Sequence, residues 1–81
     1  MGRSRRGRPK RLPRKLLLLR QRLGMSQSEI AEALKLKVHY SAVSNYENGS
    51  REPDLLILLR YARLAKVSVE SLIDDKMELP D

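Results

Sequence analysis

Two stretches, Ser26-Gln27-Ser28-Glu29-Ile30-Ala31 and Ser41-Ala42-Val43-Ser44-Asn45-Tyr46-Glu47-Asn48-Gly49, decide how this chain is read. Ser26 followed three residues later by Glu29 is a capping box, in which the hydroxyl accepts from a free amide of the first turn and the carboxylate returns to the serine's own amide. The pattern predicts a helix from Gln27 to about Leu34 that buries Ile30, Ala31 and Leu34. The second stretch predicts another over Tyr40 to Glu47, stopped by Asn48-Gly49. Val43 with Tyr46 or Glu47 turns inward there, leaving Tyr40, Ser41, Ser44 and Asn45 outside. The result is two short helices joined by a turn, the second with small polar residues on its outer face.

Upstream, Pro13 suits a first helical turn, where its missing amide would be unpaired anyway, and predicts a helix over Arg14 to Arg22. Leu16, Leu19 and Leu23 form its buried stripe, and Gly24 is placed to end it in a left-handed conformation. Downstream, Pro53 and Asp54 open a fourth helix whose Leu55, Leu58, Leu59, Ala62 and Ala65 follow helical spacing. Ser68 caps a short fifth helix containing Val69, Leu72 and Ile73. No segment alternates apolar and polar residues, so no strand is expected. The reading is all-α: a compact five-helix bundle over residues 13–74, preceded by a basic arm (1–12) and followed by an acidic tail (75–81).

At 81 residues the chain is one domain, too small for a cleft-bearing enzyme. It has no cysteine, and its one histidine, His39, has no second ligand beside it, so neither metal nor other cofactor is expected. The apolar runs Leu16 to Leu19 and Leu55 to Leu59 are far short of a membrane span, and the N-terminus lacks a signal peptide's apolar core. A cytoplasmic, nucleoid-associated protein is expected.

The net charge of +7 is unevenly placed. Residues 1–15 carry eight Lys or Arg and no acid, leaving nine basic against ten acidic groups in residues 16–81. Such an arm cannot bury enough apolar surface to fold alone, so residues 1 to about 12 read as disordered without a polyphosphate partner. Within it, Arg6-Gly7-Arg8-Pro9-Lys10-Arg11 resembles the core of an AT-hook: glycine admits close approach, proline keeps the chain extended, and guanidiniums suit a narrow A·T minor groove. Arg6, Arg8 and Lys10 either enter that groove or add phosphate attraction without base preference.

Arg20, Leu23-Gly24-Met25-Ser26-Gln27, Ile30-Ala31, Val43-Ser44, Glu47-Asn48-Gly49, Pro53, Ala62, Val67-Ser68 and Leu72-Ile73, in this order and spacing, resemble the phage-repressor-like (lambda-repressor-like) helix-turn-helix family, which includes the Cro and xenobiotic-response-element regulators. The resemblance implies five helices and DNA binding, commonly as two-fold dimers on palindromic operators. It implies that Gln27 holds a phosphate at the start of helix 2, and that Tyr40, Ser41 and Asn45 read the major groove, with Ser44 on the same face. Asn48 and Arg51 match phosphate contacts after helix 3, and Arg20 and Glu47 match a structural ion pair. From Ala31 to Val43 is twelve residues where the family usually has ten, and Lys35 stands where a glycine is expected. Either helix 2 extends or the loop bulges toward the backbone, bringing Lys35, Lys37 and His39 near phosphates; alternatively His39 only caps helix 3.

The leading reading is a sequence-specific transcriptional regulator, a repressor on double-stranded DNA. The alternatives are the DNA-binding antitoxin of a toxin-antitoxin pair, with a small protein partner, and a sequence-indifferent nucleic-acid-binding protein. Leu17, Leu18, Leu56 and Leu64, with Val69 and Ile73, exceed what one small core needs and point to a weak homodimer strengthened by DNA.

Overall fold

The computed structural model describes residues 8–35 and 39–80 and forms five helices, with no strand among the described residues. Helix α1 spans Leu12–Leu23. It begins two residues before the expected Arg14 because Leu12 is core, 2% exposed alongside Leu16 and Leu19; placing Leu12 in a disordered arm is therefore wrong. Leu23 is only partly buried against the core. Gly24 ends the helix at φ +69°, donating its amide to the carbonyls of Arg20 and Gln21.

Helix α2 (Gln27–Leu34) carries both halves of the capping box. The Glu29 amide donates to Ser26 Oγ at 3.0 Å and the Ser26 amide to Glu29 Oε1 at 2.7 Å. Lys35 then stops the helix at φ +57°, a left-handed conformation that costs a side-chain-bearing residue about 1–2 kcal/mol. Helix α2 thus does not extend beyond Leu34; residues 36–38 of the turn lie outside the described residues.

Helices α3 (Tyr40–Asn48), α4 (Leu55–Ala65) and α5 (Val69–Ile73) complete the bundle, with α3 packed across α1 and α2. Leu16, Ile30, Val43, Tyr61 and Leu72, one from each helix, are at most 1% exposed, so every helix anchors in the same core. The phase of α4 differs from expectation. Its buried face is Ile57, Leu58, Tyr61 and Ala62, whereas Leu59 is half-buried and Leu55 is 80% exposed. Burying the large Tyr61 turns Arg60 and Arg63 to solvent; Leu55, in the first turn, borders an open groove shared with Leu12, Pro53, Leu58 and Ile73. Of the surplus leucines, Leu64 packs on the core while Leu18 and Leu56 stay exposed.

The residues after α5 fold back along α1. Lys15, counted above with the arm's charges, is 3% exposed, and its ammonium donates to the carbonyls of Ser71 (2.7 Å), Asp74 (3.1 Å) and Met77 (2.9 Å). Three partners saturate its three donors, which is what allows a buried charge to persist. Arg11, at the N-cap of α1, offers no side-chain cap; the Asp75 carboxylate caps that end instead, accepting from the amides of Lys10 (2.8 Å) and Arg11 (3.0 Å). Those amide bonds hold the Asp75 carboxyl below its usual range. The Arg11 guanidinium bonds Glu78 at 2.8 Å, and Leu79 packs on the core. The folded unit therefore reaches from Lys10 to Pro80, whose carbonyl accepts from Arg22 at 2.6 Å.

Candidate nucleic-acid interface

The helical period sets Ser41, Ser44, Asn45 and Asn48 on the side of α3 opposite its buried Val43 and Tyr46. Ser41 and Asn48 are exposed, Ser44 and Asn45 half-buried, and Tyr40 in the first turn is 52% exposed. His39 is the N-cap: its Nδ1 accepts from the Ser41 amide at 3.1 Å, with Ser41 Oγ 2.8 Å from the same nitrogen. Its ring lies 4.4 Å from that of Tyr40, a tilted pair. Capping is thus the role of His39 that the fold itself displays.

At the other end of α3 the chain reverses at Gly49, φ +84°. A Cβ there would also meet Pro13 Cγ at 3.5 Å, which brings the root of the arm beside this turn. Asn48 Oδ1 accepts from the Ser50 amide at 2.8 Å, closing an Asx turn. Ser50 Oγ donates to Asn45 Oδ1 at 3.0 Å, and the Arg51 amide donates to the Asn45 carbonyl at 3.2 Å. The loop is thus tied back onto the outer face of α3, with Arg51 exposed beyond it.

The angle of α3 against α1 and α2 is fixed by Glu47, whose side chain is 6% exposed. Arg20 Nε donates to Glu47 Oε2 at 2.6 Å and Arg20 Nη2 to Oε1 at 3.0 Å. The same guanidinium donates to the Met25 carbonyl at 3.0 Å, and the bond to Glu47 raises it above its ordinary value. Gln27 Nε2 donates to Glu47 Oε1 at 3.2 Å, so one amide end of Gln27 is held inward at the start of α2. Sequence reasoning pairs Arg20 with Glu47 but misses Gln27. Nothing in the spacing of 27 and 47 marks that contact; only the packing of α2 on α3 creates it.

Three basic residues, Arg8, Lys10 and Arg14, lie beside the C-terminal end of α3. Arg8 Nη1 donates to the Gly49 carbonyl at 3.4 Å, and Arg8, Lys10, Arg14 and Asn48 border one open depression. Arg6 and Lys37 lie outside the described residues. Among the described residues there is no group of three His, Cys, Asp or Glu that could hold a metal ion, and no helix long and apolar enough to cross a membrane.

Residues 16–72, from α1 into α5, match the helix-turn-helix family. The HTH-type transcriptional regulator ImmR of Bacillus subtilis (strain 168) is 39% identical over 62 residues, covering 76% of this chain and 47% of that protein. The chain thus spans about half the length of that relative. Among solved structures, the P22 c2 repressor protein in complex with synthetic operator 9T in the presence of Tl+ has a similar fold, with a TM-score of 0.72 over 79% of this chain and 94% of that one, at 20% identity.

Proposed function

We propose that this chain, which belongs to the helix-turn-helix family, is a sequence-specific DNA-binding transcriptional regulator that represses by occupying an operator in the cytoplasm. The observation that carries this reading is the outer face of α3: four short polar side chains on a helix clamped at both ends, by the His39 cap and by the Asn48–Ser50 turn. Such a helix fits the major groove, where short polar groups read base edges. Ser41, Ser44 and Asn45 are the readers, with Tyr40 beside them to meet a sugar or a thymine methyl. Gln27, held by Glu47, keeps its remaining amide hydrogen for a phosphate at the start of α2, where backbone amides also point outward. Asn48, Arg51, Arg8 and Lys10 supply phosphate or minor-groove contacts around the turn at Gly49. Arg6, Lys37 and His39 join the phosphate contacts on the sequence reading. Leu55 and Ile73, 80% and 42% exposed beside one groove, with Leu56, 63% exposed, supply apolar surface for a weak homodimer.

The double variant Ser41→Ala/Asn45→Ala separates base reading from folding, because neither side chain is core. Its thermal midpoint is expected within a few degrees of wild type, with binding to bulk DNA retained. Its preference for a selected duplex over a random one, read by competition anisotropy, is expected to fall about 30-fold or more. An unchanged preference would remove α3 from the reading role.

A further inference from the structure

We infer that Asp75 is a positioning residue for DNA binding, whose carboxylate clasps the root of the basic arm and fixes where the arm leaves the fold, an inference that rests on the arm and α3 meeting the same DNA. The carboxylate accepts from two successive amides, Lys10 at 2.8 Å through Oδ2 and Arg11 at 3.0 Å through Oδ1. The Arg11 guanidinium donates back to the Asp75 carbonyl at 2.9 Å. A carboxylate only accepts and an amide only donates, so these contacts have one sense. Both amides precede the helical residues Leu12–Leu23, whereas a side chain that caps a helix accepts from its second or third amide. Asp75 therefore holds the chain that leads into α1 rather than the first turn of α1 itself.

The clasp is itself anchored. On either side of Asp75 the carbonyls of Asp74 and Met77 accept from the buried Lys15 ammonium, and the Arg11 guanidinium reaches Glu78. From there the constraint runs outward along the arm. Leu12 is core, Lys10 and Arg11 are held by their amides, and Pro9 is half-buried with its φ fixed by the ring. Arg8, as the residue before a proline, is confined to extended conformations, and its Nη1 donates to the Gly49 carbonyl at 3.4 Å, beside Asn48 at the end of α3. Residues 8–12 thus form one constrained piece from the core to the edge of the α3 face, and the arm starts from a set point there. A root ordered before binding spares the complex the entropy of ordering it. Arg11 and Asp75 are 64 residues apart in sequence, and only the return of the chain along α1 brings them together.

The test is affinity for a selected duplex, read by anisotropy, for wild type and Asp75→Ala, each as the full chain and with residues 1–8 deleted, which leaves the folded unit from Lys10 onward whole. Losing a negative charge beside DNA would by itself raise affinity, so the clasp predicts the opposite sign. Freeing the backbone of one residue costs about five- to thirtyfold, partly offset by the lost charge. Asp75→Ala is therefore expected to weaken binding about fivefold in the full chain, and to leave it equal or slightly tighter in the deleted one. Amide hydrogen exchange reports the clasp directly: Lys10 and Arg11 are expected to be protected in wild type and to exchange rapidly in Asp75→Ala, while Leu16 and Leu19 stay protected and show that the variant is folded. Equal or tighter binding by full-length Asp75→Ala, the same loss in both backgrounds, or unprotected Lys10 and Arg11 amides in wild type would overturn the proposal. If deleting residues 1–8 leaves wild-type affinity unchanged, the arm does not touch DNA and the role of Asp75 falls while reading by α3 stands. If wild type binds no duplex, the DNA-binding reading itself fails and takes the clasp's role with it.

Discussion

Raising the salt from 50 to 200 mM is expected to weaken DNA binding by a factor of about 10³ to 10⁵. Each phosphate neutralised by the protein releases condensed counterions, so the logarithm of the affinity falls in proportion to the number of contacts. The first fifteen residues carry eight basic side chains, but the fold withdraws two of them. Lys15 is sealed against three carbonyls, and Arg11 is committed to Glu78 and the Asp75 carbonyl. Arg8, Lys10 and Arg51, with the start of α2 and the other charges of the arm, leave about three to five phosphate contacts per copy, or six to ten in a two-fold complex. A titration across this salt range should give a slope of about −5 to −9 in log affinity against log salt. A flat profile would contradict DNA as the ligand.

Glu47→Ala is expected to destabilise the fold by about 3–5 kcal/mol. The carboxylate is 6% exposed and accepts from Arg20 twice and from Gln27 once, so its removal strands a guanidinium that is only 17% exposed. The surroundings are apolar enough that the nearby Tyr61 phenol is pushed well up by burial, and its hydroxyl has no hydrogen-bond partner among the described residues. For a domain of this size the loss is a large share of the total, roughly 0.05–0.15 kcal/mol per residue. Urea unfolding followed by circular dichroism measures it. Arg20→Met should cost about as much, whereas the double change Arg20→Met/Glu47→Leu should recover part of the loss, because no charge is then left buried alone. A single-variant cost under about 1 kcal/mol would mean that the pair behaves as a surface contact.

The parts of the fold legible in sequence are those whose cause is local. The capping box at Ser26, the glycines 24 and 49, and the cap at Ser68 each act within three or four residues, and each marks its helix end correctly; Pro53 and Asp54 mark where α4 starts, but Asp54 is its N-cap rather than a first-turn residue and Pro53 lies outside the helix. What escaped depends on distant partners. Leu12 stands among prolines and arginines that read as an arm, yet it is core, because α1 and the groove beside Pro53 receive it. Lys15 looks like one more arm charge until the chain after α5 returns and surrounds it with carbonyls. In α4 nearly every position from Leu55 to Leu59 is apolar, so periodicity cannot choose a face, and packing of Tyr61 does. The polar outer face of α3 was legible because Val43 with either Tyr46 or Glu47 inward leaves Ser41, Ser44 and Asn45 outside; how its side chains are held, Asn45 by Ser50 and Gln27 by Glu47, was not.

Selection of random-sequence duplexes by the wild-type protein at about physiological salt, where specific and non-specific binding separate, tests whether this chain reads bases at all. The expected product is a palindrome whose half-sites lie about one helical turn apart, the mark of a two-fold pair of α3 helices in successive major grooves. Flanking A·T tracts would add the arm's Arg6 and Arg8 to the minor groove. Retained binding with no enriched sequence would contradict the account and leave a chain that holds nucleic acid by charge alone.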